Sequence, residues 1–217
     1  FCDSPFMTIK IVTDSACDVP PDLASQFDIT VVPVYLNIGE TSYLEGVEMS
    51  REQFYGRLSS FSDYPTTAAP AAGTFTQLYE RLTAAGATQI LSMHIAHDLS
   101  ATYNAARLGA AAADSVPVTL FDTRQITLGA GLLVLLAAEA AAAGQSLAEI
   151  MAMLQEKARC TRVFGMIDSL ESLHLSGRVS WTQFGIGSLL QIKPIMMIAD
   201  GVISAAAKVR TRKRALS

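Results

Sequence analysis

Apolar positions along the chain fall into two alternating patterns: short β-branched runs, and longer stretches in which apolar residues recur every three or four positions. The first short run, Ile9 to Val12, stops at Thr13-Asp14-Ser15, and Pro20-Pro21-Asp22 then opens a helix with proline in its first turn. Val31 to Ile38 is a second run, expected to be one strand, and Gly39-Glu40 lets Thr41 to Leu44 return beside it as a hairpin arm. Ser50-Arg51-Glu52-Gln53 matches a capping box, with Phe54, Leu58 and Phe61 following at helical spacing. The stretch from Pro65 to Gly73 contains two prolines and is expected to be a loop. Thr74 with Gln77 is expected to cap a helix running to Ala85, with Gly86 ending it in the left-handed conformation.

The rhythm then repeats. Gln89 to Ile95 reads as a strand, Ser100 as the cap of a helix through Ala113, Val116 to Phe121 as a strand, and Ile126 to Ala143 as a long helix ended by Gly144. Strands alternating with helices imply a parallel sheet covered on both faces. Ser146 with Glu149 opens another helix to about Arg159, and Thr161 to Ile167 is a further strand candidate. Beyond it the pattern changes to a short helix over Ser169 to Leu175, a turn at Ser176-Gly177-Arg178 and an amphipathic helix over Trp181 to Leu190. A hairpin of Ile195 to Ala199 with Val202 to Val209 follows, about Asp200-Gly201. The expected class is α/β in two domains, residues 7–160 and 161–217.

Composition narrows the function classes. Half of the 217 residues are apolar and only 17% are charged, and mean hydropathy is +0.32, which excludes a disordered chain. The longest uncharged run near the middle, Gln125 to Ala138, is shorter than the roughly 20 apolar residues of a membrane-spanning helix. The residues before Met7 lack the basic and apolar segments of a secretory signal, and Met7 is read as the natural start. Cys2, Cys17 and Cys160 are widely spaced with no C-x-x-C, so neither a disulfide framework nor a thiolate zinc site is expected. These features together read as cytoplasmic. A net charge of −4 argues against a nucleic-acid binder. The basic run Lys208, Arg210, Arg212, Lys213 and Arg214 is the exception, and no aromatic residues are interleaved with it.

In an open parallel sheet, ligands bind outside the carboxyl ends of the strands. The residues there are Thr13-Asp14-Ser15, the segment Ala96 to Thr102 containing His97, Ser100 and Thr102, and Asp122-Thr123; the Thr66-Thr67 loop adds two hydroxyls. Ser100 has two readings. It is a helix cap, or it belongs to an anion site in which free backbone N–H groups and the helix dipole favour negative charge. His94 and His97 straddle a strand end, where alternate side chains face opposite ways; a buried, hydrogen-bonded His94 and a pocket-rim His97 are expected, and no metal. A Ser100, His97 and Asp98 triad would be too compressed in sequence for the geometry it needs. The chain has no G-x-S-x-G elbow, no phosphate loop and no complete G-x-G-x-x-G.

Taken in order, these residues resemble the DegV family of bacterial lipid-binding proteins. Thr13-Asp14-Ser15 with Asp18-Val19-Pro20 resembles the family's T-D-S-x-x-D-V-P, and Thr67-Ala68-Ala69-Pro70 stands where T-S-Q-P is usual. Leu99-Ser100-Ala101-Thr102-Tyr103 resembles L-S-G-T-Y, Gly177-Arg178-Val179-Ser180 resembles G-R-I-S, and Leu189 to Ile195 resembles L-L-x-I-K-P-I. Lys208 to Ala215 resembles K-V-R-G-R-K-K-A. The resemblance implies a two-domain α/β carrier, not an enzyme, holding one long-chain fatty acid with its carboxylate on Thr67 and Ser100. Asp14, Ser15, His97, Thr102 and Asp122 would be pocket or head-group neighbours, and no cofactor is implied. It further implies a separate ATP-dependent fatty acid kinase subunit as partner, met by Arg178, Arg210 and Arg212. Ala96-His97-Asp98 and Ala68-Ala69 depart from the family pattern, and relatives would continue with a further α/β segment. The alternative is an enzyme acting on a small anionic substrate at the same strand ends, with Asp14 or His97 as acid or base.

Overall fold

The computed structural model describes residues 8–167, 175–179, 193–209 and 212–215. Four parallel strands form the central sheet in the order β2-β1-β6-β7: β1 (Ile9–Asp14), β2 (Thr30–Val32), β6 (Gln89–His94) and β7 (Val118–Asp122). Successive residues of a strand face opposite ways, so Ile11, Leu91 and Met93 pack into one layer and Val12 and Ile90 into the other. The first layer holds α1 (Pro21–Gln26), α5 (Thr127–Ala142) and α6 (Leu147–Cys160); the second holds α3 (Ala72–Ala84) and α4 (Thr102–Ala112). Helix α5 is apolar on every side and buries Leu133, Val134, Ala137 and Ala138. Gly131 is where it approaches the turn after β1 most closely. A Cβ there would lie 2.3 Å from the Cys17 carbonyl oxygen, so no larger residue fits.

Several expectations hold with small shifts. Gly86 and Gly144 follow α3 and α5 with φ of 94° and 80°. The capping boxes at Ser50 and Ser146 are both formed, opening α2 (Arg51–Arg57) and α6. Strands β9 (Lys193–Ala199) and β10 (Val202–Val209) pair antiparallel about Asp200 and Gly201, whose φ values of 54° and 79° are those of a two-residue turn matched to strand twist. They join β8 (Val163–Met166) in a separate sheet, in the order β10-β9-β8.

Three local expectations are corrected. Val31 to Ile38 is not one strand. Pro33 has no N–H to continue the ladder, so β2 ends at Val32 and the chain turns away into β3 (Tyr35–Ile38), which pairs with β4 (Thr41–Leu44) and not with β1. The loop expected from Pro65 contains an edge strand, β5 (Thr66–Ala68), which pairs with β3 in the short space between the two prolines. Thr74 does not cap α3. The cap lies three residues earlier, at Ala71, and makes no side-chain hydrogen bond. Of the short helix expected to end at Leu175, residues 169–174 lie outside the described residues, as does the whole of the helix expected over 181–190.

Candidate functional site

The strand order reverses at β1. The chain adds β2 on one side and later β6 on the other, so the crevice of the parallel sheet lies beyond the paired ends of β1 and β6. A cavity of about 790 Å3 occupies that position. Ala16 and Asp18 line it from the turn after β1, Ile95, Leu99, Ser100 and Ala101 from the loop after β6, and Ile126 and Thr127 from the start of α5. The β3-β4-β5 sheet contributes Leu36, Thr67 and Ala68, helix α2 adds Arg51, Phe54 and Tyr55, and Ile203 comes from β10.

Thr67 pairs with Leu36 across β5 and β3, and residues directly opposite in an antiparallel pair share a face, which accounts for both reaching the cavity. The Thr67 hydroxyl makes no hydrogen bond to another described residue. Ser100 is not the cap of α4, as expected, but stands one residue before the cap, Ala101. Its Oγ accepts from the Thr102 N–H at 3.2 Å and lies 2.9 Å from the Thr102 hydroxyl. Thr102 is fully buried behind it.

Among the described residues four charged side chains line the cavity, and these four sum to zero: Asp18, Glu45, Arg51 and Arg178. Arg51 pairs with Asp18 and, at 3.5 Å, with Glu45, and it also donates to the Ser15 carbonyl at 3.1 Å. Asp18 additionally accepts from the Thr127 hydroxyl. Both residues have positive φ, 54° at Asp18 and 47° at Thr127, a strained state for a β-branched threonine that the bond between them holds in place. The Arg178 guanidinium donates to carbonyls, Leu99 at 3.3 Å and Ser176 at 2.7 Å, so among the described residues it is the cavity cation with no carboxylate partner.

The remaining sequence candidates separate. Asp14 is fully buried, and its carboxylate accepts from Ala16, His94 and Ile95 inside the fold instead of lining the cavity. Ser15 donates to Glu45 at 2.6 Å and accepts from the Val34 N–H at 3.0 Å, supporting the wall from behind. His97 and Asp122 lie away from the cavity wall, joined at 2.5 Å on the surface. The hydrogen bond that His97 donates to Asp122 raises the His97 pKa above its ordinary value. Neither acid-base candidate of the enzyme reading therefore lines the cavity. Burial pushes the Cys17 thiol up, which keeps it protonated beneath the wall. Arg212 is exposed in a short helical turn, Arg212–Ala215, and Arg210 lies outside the described residues.

Asp18, Glu45 and Arg51 were not singled out from sequence. Asp18 stood in the T-D-S-x-x-D-V-P stretch, but its role depends on Arg51, which is read locally only as part of a capping box. Phe54 carried the signal of a helix stripe, which ordinarily marks core. Among the described residues no group of three or more His, Cys, Asp or Glu side chains is placed to hold a metal ion, and no helix is long and apolar enough to cross a membrane.

Comparison with known proteins gives a consistent match. The model of the DegV family of uncharacterised proteins matches residues 8–217. A DegV domain-containing protein of Listeria innocua is 35% identical over 208 residues, covering 96% of this chain and 74% of the relative. The structure of a fatty-acid-binding DegV family protein from Thermus thermophilus superposes with a TM-score of 0.86 at 34% identity, over 96% of this chain and 74% of that one. A stearic-acid-binding protein from Eubacterium ventriosum gives a TM-score of 0.88 at 26% identity, over 95% and 72%.

Proposed function

The chain belongs to the DegV family, and from that premise we propose that it is a cytoplasmic carrier of one long-chain fatty acid rather than an enzyme. The observation that carries this reading is the 790 Å3 cavity, whose wall is mainly apolar and whose polar groups include the Thr67 and Ser100 hydroxyls and one cation, Arg178, with no carboxylate partner among the described residues. That volume lies within the ~300–1,000 Å3 of small-molecule sites. Burying each methylene contributes about 0.8 kcal/mol, so a long acyl chain gains on the order of 10 kcal/mol before ordering costs. The head group then has mainly to be oriented.

The carboxylate is proposed to sit between Thr67 and Ser100. The Thr67 hydroxyl has its proton available, and Ser100 can donate outward when Thr102 supplies both its N–H and its O–H to the Ser100 oxygen. Both bonds are to an ionised acceptor, and such bonds are roughly twice as strong as neutral ones. The Arg51 pairs with Asp18 and Glu45 keep those carboxylates from repelling the ligand. In keeping with the missing phosphate loop, the bound acid would be handed to a separate kinase subunit for acyl-phosphate formation, with Arg178, Arg210 and Arg212 as the docking positions. The same reading takes the chain to divide into two domains near residue 160, and what supports it is the passage of strand pairing from the central sheet to the β10-β9-β8 sheet.

Native mass spectrometry of the protein purified from cells tests the reading. The expected result is a bound species of fatty-acid mass. Protein that is ligand-free and also fails to take up added palmitate would rule it out.

A further inference from the structure

The cavity wall is assembled from two loops far apart in sequence, and one buried carboxylate joins them. Asp14 ends β1, and its Oδ1 accepts from the Ala16 N–H at 3.1 Å. Its Oδ2 accepts from His94 Nδ1 at 2.9 Å and from the Ile95 N–H at 3.3 Å, across to the end of β6. Ala16 and Ile95 both line the cavity. From Ile95 the path to Ser100 is short and tied by backbone bonds through Ala96. The Ala96 N–H donates to the Gln125 carbonyl at 2.8 Å, and the Ala96 carbonyl accepts from Leu99 at 3.0 Å and from Ser100 at 3.1 Å.

Behind Asp14 the bonds continue inward. His94 Nε2 lies 2.8 Å from Ser92 Oγ, and Ser92 Oγ lies 2.8 Å from the Tyr79 hydroxyl. Burial pushes the Tyr79 pKa up to about 12, so its O–H remains a donor. The donors then run in one direction: Tyr79 to Ser92, Ser92 to His94 Nε2, and His94 Nδ1–H to Asp14. Phe75 meets the His94 ring edge-on at 5.2 Å and restricts its rotation. All four polar residues sit on the sheet side away from α5, and none of them touches the cavity.

We infer that Asp14 and His94 are positioning residues for the head-group site: their buried bond sets where the Ser100 loop stands relative to the turn carrying Asp18. The inference rests on the fatty-acid reading above. Holding a hydroxyl in place matters for the carboxylate and hardly for the acyl tail, because a hydrogen bond fails within a fraction of an ångström or a few tens of degrees, whereas apolar contact tolerates such shifts.

Two substitutions at one position separate positioning from plain structure. In His94→Asn the amide nitrogen stands where Nδ1 stood, so the bond to Asp14 can persist while the bond to Ser92 is lost. In His94→Gln the longer side chain reaches toward Ser92 and gives up Asp14. Both remove the ring, so both lose stability through the same cavity. The measurement is the ratio of affinities for palmitate and for its methyl ester, taken by calorimetry below each variant's melting point, with Asp14→Asn as an independent second break.

Wild-type protein and His94→Asn should prefer palmitate by similar ratios, while His94→Gln and Asp14→Asn should lower that ratio about tenfold, the equivalent of one charged hydrogen bond. Equal ratios in all four proteins, or parallel losses for acid and ester, would overturn the positioning role and leave the fatty-acid reading standing. Wild-type protein that binds acid and ester alike, or neither, would remove the head-group reading itself and this inference with it.

Discussion

Single side chains at the strand ends have divided roles. Thr67 and Ser100 present hydroxyls to the cavity, so Thr67→Ala with Ser100→Ala should weaken palmitate binding by about 1.5–3 kcal/mol for each charged hydrogen bond removed. Calorimetry checks this, and unchanged affinity would place the carboxylate elsewhere. His97 belongs to the surface. Its pKa is raised by Asp122, so the stabilisation from the pair is fully present below the ordinary histidine value of about 6.5 and is lost as pH rises through the raised folded value. The melting temperature of His97→Gln should therefore fall below that of wild type in mildly acidic buffer, and the gap should close in alkaline buffer. A gap that widens with pH would contradict the assignment. Residue types were legible here, since hydroxyls and carboxylates cluster visibly after each strand. Which of them meet was not, because Asp14 and His97 have the same sequence signature as Ser100 and point elsewhere.

At the scale of elements, local bonding explains most of what sequence anticipates. Ser146 and Glu149 form both halves of a capping box on α6, so Ser146→Ala should cost about 1 kcal/mol in chemical denaturation. Thr74 has the same pattern with Gln77 but lies inside α3, exposed and not capping, and Thr74→Ala should change stability by less than about 0.5 kcal/mol. A large loss at Thr74 would mean that the helix starts where its local pattern suggests. The capping motif fails here because Ala72 and Gly73 are already helical, behind the extended cap Ala71 with φ −68° and ψ 151°. Strand β5 escaped recognition for a related reason. Three residues between two prolines carry no periodicity, and β3 supplies the pairing that makes them a strand.

The molecule as a whole depends on contacts between distant segments. Arg124 pairs with the Asp200 carboxylate at 2.7 Å and donates to its carbonyl at 2.7 Å, and the Gly201 N–H returns a bond to the Arg124 carbonyl at 2.7 Å. These bonds seat the β9-β10 turn on the end of the central sheet, close to where Ile203 enters the cavity. Arg124→Ala should expose the 193–209 hairpin to faster limited proteolysis while the central sheet keeps its far-ultraviolet circular dichroism. Equal protection would assign the seating to other contacts. The alternating parallel architecture, the two capping boxes and the hydroxyl-rich strand ends are encoded locally, in periodicities of 2 and 3.6 and in bonds spanning a few residues. The cavity is not encoded that way. His94 meets Asp14 across 80 positions and Thr127 meets Asp18 across 109. Whether a strand-end side chain turns inward to its neighbour or outward to a ligand is decided only when the sheet and its helices pack.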